Sequence, residues 1–268
     1  MGKALVITSG KGGVGKTTSS ANIGTALAMM GKKVVLMDLD IGLRNLDVVL
    51  GLDNRIMYDI VDVASGRAKL AQALVKDKRF DDMLYLLPAA QNADKTALTA
   101  DQVVEIVDEL KPDFDYVLID CPAGIETGFM NAIAGADGAL IVTTPEISAV
   151  RDADRVVGLL ETHPLQEEPL LIINRIRTHM MKDGSVMDID EITHHLGVEL
   201  LGIVFDDDAV ISTSNRGEPI VLDSDNPAGQ GYRDIARRIT GESVPLMEMK
   251  EESAPSFWQK FTGWFKKN

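Results

Sequence analysis

A glycine-rich stretch near the amino terminus constrains this chain more than any other part of its sequence. Residues 9–18 read SGKGGVGKTT. The residues that satisfy the spacing G-x-x-x-x-G-K-[ST] are Gly10, Gly15, Lys16 and Thr17. The apolar run 4–8 before them predicts a buried strand, and residues 17–30 after them predict a helix. A glycine turn between a strand and a helix directs backbone N–H groups at phosphate oxygens, so the sequence predicts a nucleoside triphosphate site.

The side chains of this loop have distinct expected tasks. The Lys16 ammonium reaches the β- and γ-phosphates, and the Thr17 hydroxyl is a ligand for Mg²⁺. A flexible glycine turn with an incidental lysine does not explain the strand, loop and helix together. A dinucleotide-binding Rossmann loop, G-x-G-x-x-G with an acidic residue placed for a ribose hydroxyl, is the main competing interpretation, but this loop has a Gly-Lys-Thr ending that a pyrophosphate site does not need. The residues expected to contact the nucleotide are Lys11, Gly12, Gly13, Val14, Gly15, Lys16, Thr17 and Thr18.

Lys11 is a second lysine in the same loop. Two cations on one set of phosphates repel each other, so Lys11 either serves something other than its own nucleotide or is a solvated surface lysine. The stretch KGGVGKTT resembles the deviant Walker A motif of the MinD/ParA family of dimerising ATPases. That resemblance implies that Lys11 crosses a two-fold interface to the partner's phosphates, as an arginine finger does in trans. It also implies a homodimer in the ATP-bound state, with catalytic roles for Lys11 and Lys16.

Apolar runs alternate with helical stretches along most of the chain. The runs are nearly continuous, as in parallel strands covered on both faces. They are residues 4–8, 33–38, 83–87, 116–120, 139–143, 170–174 and 200–204. Helices are predicted at 17–30, 101–110, 127–134, 149–161, 188–196 and 228–240. The alternation predicts an α/β fold: a doubly wound, mostly parallel sheet with helices on both faces. We expect an ATPase domain over 1–246, a linker over 247–255 and an amphipathic helix over 256–268.

Three aspartates follow predicted strands at the edge where such sheets bind ligands. Asp38 and Asp40 close the second strand in LMDLDIGLRNLD, and Asp120 closes the fourth in VLIDCPAG. A single aspartate there is often a turn residue, but three beside one phosphate loop favour a Mg²⁺ site with Thr17. The two segments resemble the switch I and switch II regions of the MinD branch of the family. The resemblance implies that Asp40 orients the attacking water and that Asp38 and Asp120 lie in the Mg²⁺ shell.

Base recognition is predicted less directly. Asn174 follows an apolar strand, where it is either an Asx-turn residue or a donor and acceptor for the adenine edge, and the resemblance favours adenine. Many relatives carry a proline in the next such loop, whereas this chain has FDDD at 205–208. The stretch SNRGEP (214–219) also resembles the family and is given no chemistry. The cofactors expected are ATP and Mg²⁺.

Composition indicates the cellular compartment of the protein and argues against one class of partner. The single cysteine, Cys121, fits a reducing compartment and is expected to be a buried thiol. No stretch approaches 18 consecutive apolar residues, and the first strand leaves no room for a signal peptide. The formal net charge of −14 argues against nonspecific DNA binding by the main body. We therefore expect a cytoplasmic protein.

The carboxyl-terminal stretch PSFWQKFTGWFKKN (255–268) has a different character. Both tryptophans of the chain and three of its seven phenylalanines lie here. On a helix these aromatic residues would share one face, and Lys260 would lie outside that face. This pattern is typical of a helix lying in a lipid interface. The membrane-contacting residues expected are Phe257, Trp258, Lys260, Phe261, Trp264 and Phe265. Residues 256–268 hold three lysines and no acidic residue, so residues 1–255 have a formal net charge of −17. The alternative is a helix docked on its own domain.

One such tail binds lipid weakly, because a 13-residue helix is marginal in water and costs entropy to order. Two tails on one dimer make the second contact intramolecular and raise avidity by roughly 10²–10⁴. The sequence thus favours ATP-driven dimerisation that places the protein on anionic lipid at the cytoplasmic face of the membrane. The position and character of the tail resemble the membrane-targeting helix of the family's MinD branch.

The family resemblance also implies partners and a cellular role. It implies placement of the division septum by recruitment of a MinC-like division inhibitor, with a MinE- or DivIVA-linked topological or activating partner. Asp152 and Asp154 are candidate partner contacts, or else members of a solvated helix start. A MinD-like regulator of flagellar placement, a ParA-like DNA-segregation ATPase and a nucleotide-gated membrane scaffold remain the alternatives.

Overall fold

The computed structural model describes residues 2–94 and 96–248, and the predicted tail 256–268 lies outside this part of the chain. Within it we count eight strands. They are β1 (Lys3–Thr8), β2 (Val34–Asp38), β3 (Val75–Lys76), β4 (Leu84–Leu87), β5 (Tyr116–Asp120), β6 (Gly138–Thr143), β7 (Leu170–Ile176) and β8 (Glu199–Phe205). They form one sheet in the order β3-β4-β2-β5-β1-β6-β7-β8. The pairs from β4 to β8 are parallel and confirm the predicted doubly wound sheet.

Eleven α-helices accompany these strands in the described residues. They are α1 (Lys16–Met29), α2 (Leu46–Leu50), α3 (Ile60–Ala64), α4 (Leu70–Ala73), α5 (Ala100–Leu110), α6 (Thr127–Ala134), α7 (Ile147–Thr162), α8 (Thr178–Lys182), α9 (Ile189–Leu196), α10 (Asp208–Ser214) and α11 (Pro227–Ile239). The six predicted helices correspond to α1, α5, α6, α7, α9 and α11, with ends that differ by at most two residues. The short helices α2, α3, α4, α8 and α10 were not predicted.

The sheet carries a hydrophobic core on each face. Successive residues of β2 show this division, because Val35 and Met37 belong to one core while Val34 and Leu36 belong to the other. Helices α5, α6, α7 and α9 cover the first core, and α1, α2 and α11 cover the second. Each fully buried aliphatic side chain contributes about 1.5–3 kcal/mol relative to an exposed one. The continuous apolar runs in the sequence reflect this burial on both faces.

Strand β3 is the one antiparallel member of the sheet as described, and it pairs with β4 at the sheet edge. With two residues, Val75 and Lys76, it is too short to produce a periodic signal in the sequence. A short edge strand bearing a lysine also limits pairing with other chains.

No helix within the described residues has the length and apolar character needed to cross a bilayer.

Candidate nucleotide and magnesium site

The phosphate loop connects β1 to α1 at the carboxyl edge of the sheet. Gly13 and Gly15 adopt φ values of 82° and 93°, in the left-handed region that glycine tolerates best. A Cβ on Gly10 would lie 1.9 Å from the carbonyl oxygen of Asp152. The glycine is therefore required because the loop passes directly against the first turns of α7.

Helix α1 begins at Lys16, and no described side chain caps it. The first N–H groups of a helix have no partner inside the helix, so an uncapped amino terminus is a ready anion site. Thr17 and Thr18 are half-buried at this end, while Gly12 and Gly13 are exposed. These observations fit the predicted binding of nucleotide phosphates.

Lys16 is buried beneath the loop with 7% of its side chain exposed. Its Nζ lies 3.3 Å from Oδ1 of Asp120, at the end of β5. Burial is the largest single effect and lowers the pKa of Lys16, but the surrounding groups, led by the Asp120 carboxylate, together raise it, and the net shift is upward. Lys16 is therefore held as a cation at the base of the loop, before any phosphate arrives.

Asp120 has a second partner on α1. The Ser20 hydroxyl donates to Asp120 Oδ1 at 2.8 Å, and Ser20 lies one helical turn after Lys16. The other carboxylate oxygen, Oδ2, is buried without a hydrogen bond partner. A buried, unsatisfied carboxylate oxygen is costly, and it fits the predicted Mg²⁺ shell. Sequence reasoning missed Ser20, although its i, i+4 spacing from Lys16 places both on one helix face.

Asp38 lies directly beside Asp120 in the parallel register of β2 and β5. Burial, followed by the Asp120 charge, raises the pKa of Asp38 from 3.8 to about 8. The backbone N–H of Asp40 donates to Asp38 Oδ1 at 2.9 Å, and that of Leu46 donates to Oδ2 at 3.4 Å. Asp38 therefore organises the segment that was predicted as switch I.

The three predicted carboxylates meet at one edge, but they do not form a closed set of metal ligands. Across residues 2–94 and 96–248, no group of three or more His, Cys, Asp or Glu side chains is arranged to hold a metal ion. Magnesium in nucleotide sites is usually bound by phosphates, water and one or two carboxylates, so this geometry suits Mg²⁺ arriving with a nucleotide. Asp40 is half-buried at the rim. The individual metal and water-orienting roles of these residues stay predictions.

Lys11 is placed differently from Lys16. It is exposed, and its Nζ donates to the Ser148 hydroxyl in the first turn of α7 at 2.9 Å. The two loop lysines thus point to different surroundings, one inside the fold and one outside it. Nothing in the sequence spacing pairs Lys11 with Ser148, because 137 positions separate them.

Asn174 is buried in β7 and contacts the phosphate loop. Its Nδ2 donates to the Val14 carbonyl at 2.8 Å, and its Oδ1 accepts from the Arg175 N–H at 2.9 Å. A cleft of about 150 Å³ begins here. Its lining includes Gly15, Thr18, Asn174, Phe205, Asp206, Asp207 and Asp208. The FDDD segment therefore lies beside the phosphate loop, and an adenine role for Asn174 stays a prediction.

The SNRGEP segment has a packing role that the sequence alone did not reveal. A Cβ on Gly217 would lie 2.4 Å from the Cα of Gly51, which follows α2. Arg79 joins the two segments by donating to the Gly217 carbonyl at 2.9 Å and to the Leu50 carbonyl at 2.6 Å. Its guanidinium is also paired with the buried Asp77 at 2.6 Å. The segment that was predicted as switch I is thereby tied, through α2, to the loop that follows α10.

The remaining predictions about single residues can be compared with their positions. Cys121 is fully buried, and burial raises the pKa of its thiol to about 12, so it is inert as expected. Asp154 is exposed on α7, while Asp152 is half-buried and its carboxylate pairs with Arg155 at 3.2 Å. The predicted lipid contacts from Phe257 to Phe265 lie outside the described residues.

Comparisons with known proteins show which proteins this chain resembles. A family model described as an AAA domain matches residues 2–169. The septum site-determining protein MinD of Bacillus subtilis is 66% identical over 253 residues, which cover 94% of each chain. The solved MinC:MinD cell division protein complex of Aquifex aeolicus superposes with a TM-score of 0.85 at 50% identity, covering 93% of this chain and all of that one. The structure of the septum site-determining protein MinD complexed with Mg-ADP from Pyrococcus horikoshii has a TM-score of 0.80 at 31% identity, covering 89% and 96%.

Proposed function

The chain belongs to the MinD family of septum site-determining ATPases, and we propose that it is a nucleotide-driven switch that carries a division inhibitor to the membrane. It is a P-loop ATPase that functions in placing the division septum. The DNA-segregation and flagellar alternatives are not favoured, because the similar relatives are septum proteins. Nucleotide and Mg²⁺ binding follow from the family and from the fit of the site. The proposal adds ATP-dependent dimerisation and reversible membrane attachment.

The contrast between the two loop lysines is the observation that carries the proposal. Lys16 is buried and paired with Asp120, which suits a lysine that holds its own phosphates. Lys11 is exposed on the outer side of the loop, where its ammonium donates to the Ser148 hydroxyl. A weak, exposed hydrogen bond of about 1 kcal/mol or less is readily exchanged for contact with a partner's phosphate. This arrangement supports a role for Lys11 in trans.

The division of tasks among the carboxylates follows from their burial. Mg²⁺, when bound, neutralises charge on the phosphates. Asp38 and Asp120 are buried, and they lie side by side because β2 and β5 pair in parallel and end together. Asp40 lies at the rim, where its carboxylate can orient a water molecule toward the loop. Thr17, at the start of α1, supplies the hydroxyl that is expected to bind Mg²⁺.

The tail supplies the membrane contact in this proposal. Residues 256–268 place five aromatic residues and three lysines in a short segment. Apolar burial and roughly 1 kcal/mol per lysine near anionic lipid give a single tail weak affinity. A dimer presents two tails and gains avidity. ATP binding therefore moves the protein from the cytoplasm to the membrane, and hydrolysis returns it.

The first turns of α7 are the proposed surface for the division inhibitor. The solved relative from Aquifex aeolicus is a complex of MinC with MinD. In this chain, Asp154 is exposed and Asp152 is half-exposed on α7. Because the Asp152 carbonyl contacts Gly10, this surface adjoins the phosphate loop. A partner that binds there is well placed to sense the nucleotide state, which also suits an activating partner of the MinE- or DivIVA-linked kind.

Vesicle co-sedimentation with ATP or ADP tests the proposal. The full chain should sediment with anionic vesicles in ATP and remain soluble in ADP. Lys11→Ala should lose ATP-dependent dimerisation, measured by light scattering, and should also lose vesicle binding. A truncation after Ser253 should keep dimerisation and lose only vesicle binding. Lys78→Ala is the matched control, because it removes another exposed lysine far along the chain from the loop. Tight vesicle binding by monomeric Lys11→Ala would overturn the proposed dependence on dimerisation.

A further inference from the structure

The carboxylate of Asp120 is held through one of its two oxygens. Lys16 Nζ lies 3.3 Å from Oδ1, and the Ser20 hydroxyl donates to the same oxygen at 2.8 Å. The other oxygen, Oδ2, is buried and has no hydrogen bond partner among the described residues. Both donors belong to α1 and lie one helical turn apart, while Asp120 ends β5. The helix that follows the phosphate loop therefore fixes one oxygen of this carboxylate and leaves the other open.

Lys16 is the less permanent of the two donors. Charge-assisted N–H···O bonds are usually about 2.7–2.9 Å long, so its contact with Asp120 at 3.3 Å is a long one. The ammonium is also carried on a flexible stem with several rotatable bonds. In a phosphate loop this ammonium is expected to bind the nucleotide phosphates. Lys16 can therefore leave Asp120 for the nucleotide without any movement of α1.

Ser20 is the more permanent donor. It is fully buried, and its hydroxyl is attached directly to Cβ, so rotation about a single side-chain bond is its only freedom. The hydroxyl also lies 3.1 Å from the Lys16 carbonyl, the usual alternative acceptor for a serine within a helix. The contact with Asp120 is the shorter one, and a carboxylate is the stronger acceptor. The Ser20 proton is therefore directed to Asp120, and it stays there when Lys16 leaves.

We propose that Ser20 is the positioning residue for Asp120: it retains Oδ1 when Lys16 moves to the phosphates, and it thereby keeps Oδ2 available to Mg²⁺. This inference rests on the magnesium role proposed for Asp120. Without the Ser20 hydroxyl, the departure of Lys16 leaves neither carboxylate oxygen with a hydrogen bond partner among the described residues. The carboxylate is then free to rotate. A ligand that is correctly placed only part of the time lowers the apparent affinity for the metal by that fraction.

The neighbouring position on α1 supplies a matched control. Ser19 and Ser20 are both fully buried serines. The Ser19 hydroxyl, however, lies 3.3 Å from the Tyr232 hydroxyl on α11. Ser19→Ala therefore removes a buried hydroxyl of the same size from the same helix, while the hydrogen bond from Ser20 to Asp120 remains. A general disturbance of α1 affects both alanine variants, whereas the loss of a positioning contact affects only Ser20→Ala.

The dependence of nucleotide binding on magnesium tests the proposal in the full chain. The dissociation constant of a fluorescent ADP analogue is measured in EDTA and in excess Mg²⁺, and the first value divided by the second gives the magnesium ratio. Ser20→Ala should lower this ratio by roughly tenfold, as expected for the loss of one hydrogen bond to a charged group. Its affinity in EDTA should change by less than about threefold, which also reports that the phosphate loop is folded. Ser19→Ala should keep the wild-type ratio.

Three results would overturn the inference. The first is an unchanged magnesium ratio in Ser20→Ala, and the second is an equal loss in Ser20→Ala and Ser19→Ala. The third is a wild-type ratio close to one, which would remove the magnesium role of Asp120 and the task of Ser20 with it. Failure of the wild type to dimerise or to bind vesicles in ATP would instead overturn the proposed function and leave the Ser20 result intact, so the two failures are distinguishable.

Discussion

Lys11 donates from Nζ to Oγ of Ser148 across 2.9 Å, so the exposed lysine of the phosphate loop rests on the first turn of α7 in its own subunit. The contact keeps the lysine ordered but weakly held, because both residues are exposed. In the proposed dimerisation, this contact is the resting position from which Lys11 would move toward a partner subunit.

Replacement of Ser148 tests whether this contact is only a resting position. We expect Ser148→Ala to change the free energy of unfolding by less than about 1 kcal/mol, because an exposed hydrogen bond contributes little. ATP-dependent dimerisation, measured by light scattering, should be retained or strengthened, unlike in Lys11→Ala. Loss of the dimer in Ser148→Ala would assign the hydroxyl to the active assembly instead.

The buried pair of Lys16 and Asp120 should show strong energetic coupling. Lys16→Met leaves the buried carboxylate without its partner, and Asp120→Asn leaves the buried ammonium without its partner. Each variant should destabilise the nucleotide-free protein by about 3–5 kcal/mol. The double variant leaves no unpaired charge and should cost clearly less than the sum of the two. Urea unfolding of all four proteins measures this coupling. Additivity within about 0.5 kcal/mol would contradict it.

Because the pKa of Asp38 is raised, we expect the free energy of unfolding to fall as pH rises. Its pKa is about 8 in the folded chain against 3.8 for the ordinary carboxyl, so the folded state keeps a proton that the unfolded state has lost. Between about pH 4 and pH 8 the free energy of unfolding should fall by up to about 1.4 kcal/mol per pH unit from this group. Urea unfolding in EDTA should show this slope, and Asp38→Asn should flatten it. An unchanged slope in the variant would place the effect elsewhere.

Gly217 should be required for packing as well as for its backbone angle. Gly217 and Gly184 have φ values of 70° and 73°, but only a Cβ on Gly217 would meet a neighbour, at 2.4 Å from Gly51. Gly184→Ala should cost about 1–2 kcal/mol for the left-handed conformation. Gly217→Ala should cost about 1–3 kcal/mol more, because the two backbones must separate. Equal thermal unfolding midpoints for the two variants would refute the packing argument.

The sequence specified the sheet and the phosphate loop because their signals are local. Four or five consecutive apolar residues identify a buried strand, and Asp38 and Asp120 become neighbours because adjacent parallel strands end together. The short helices α2, α3 and α4 escaped prediction since their four or five residues carry no periodic pattern. The end of α2, for example, is held by a distant contact, the hydrogen bond from Arg79 to the Leu50 carbonyl.

Two features of the candidate site illustrate the same limit. The amide of Asn174 contacts Val14 across 160 positions, and Lys11 contacts Ser148 across 137. Both contacts depend on how β7 and α7 pack beside the loop, which no spacing in the sequence records. Ser20 differs, because its place one turn after Lys16 could have indicated a shared partner.

The close approach of Gly10 to the Asp152 carbonyl limits which amino-acid replacements the start of α7 can accept during evolution. Because Gly10 has no side chain, the phosphate loop lies directly against α7, the helix that regulators are proposed to recognise. Amino-acid replacements that retune recognition at the start of α7 will therefore tend to alter turnover as well. An inhibitor designed against that helix should act on the enzyme without entering the nucleotide cleft.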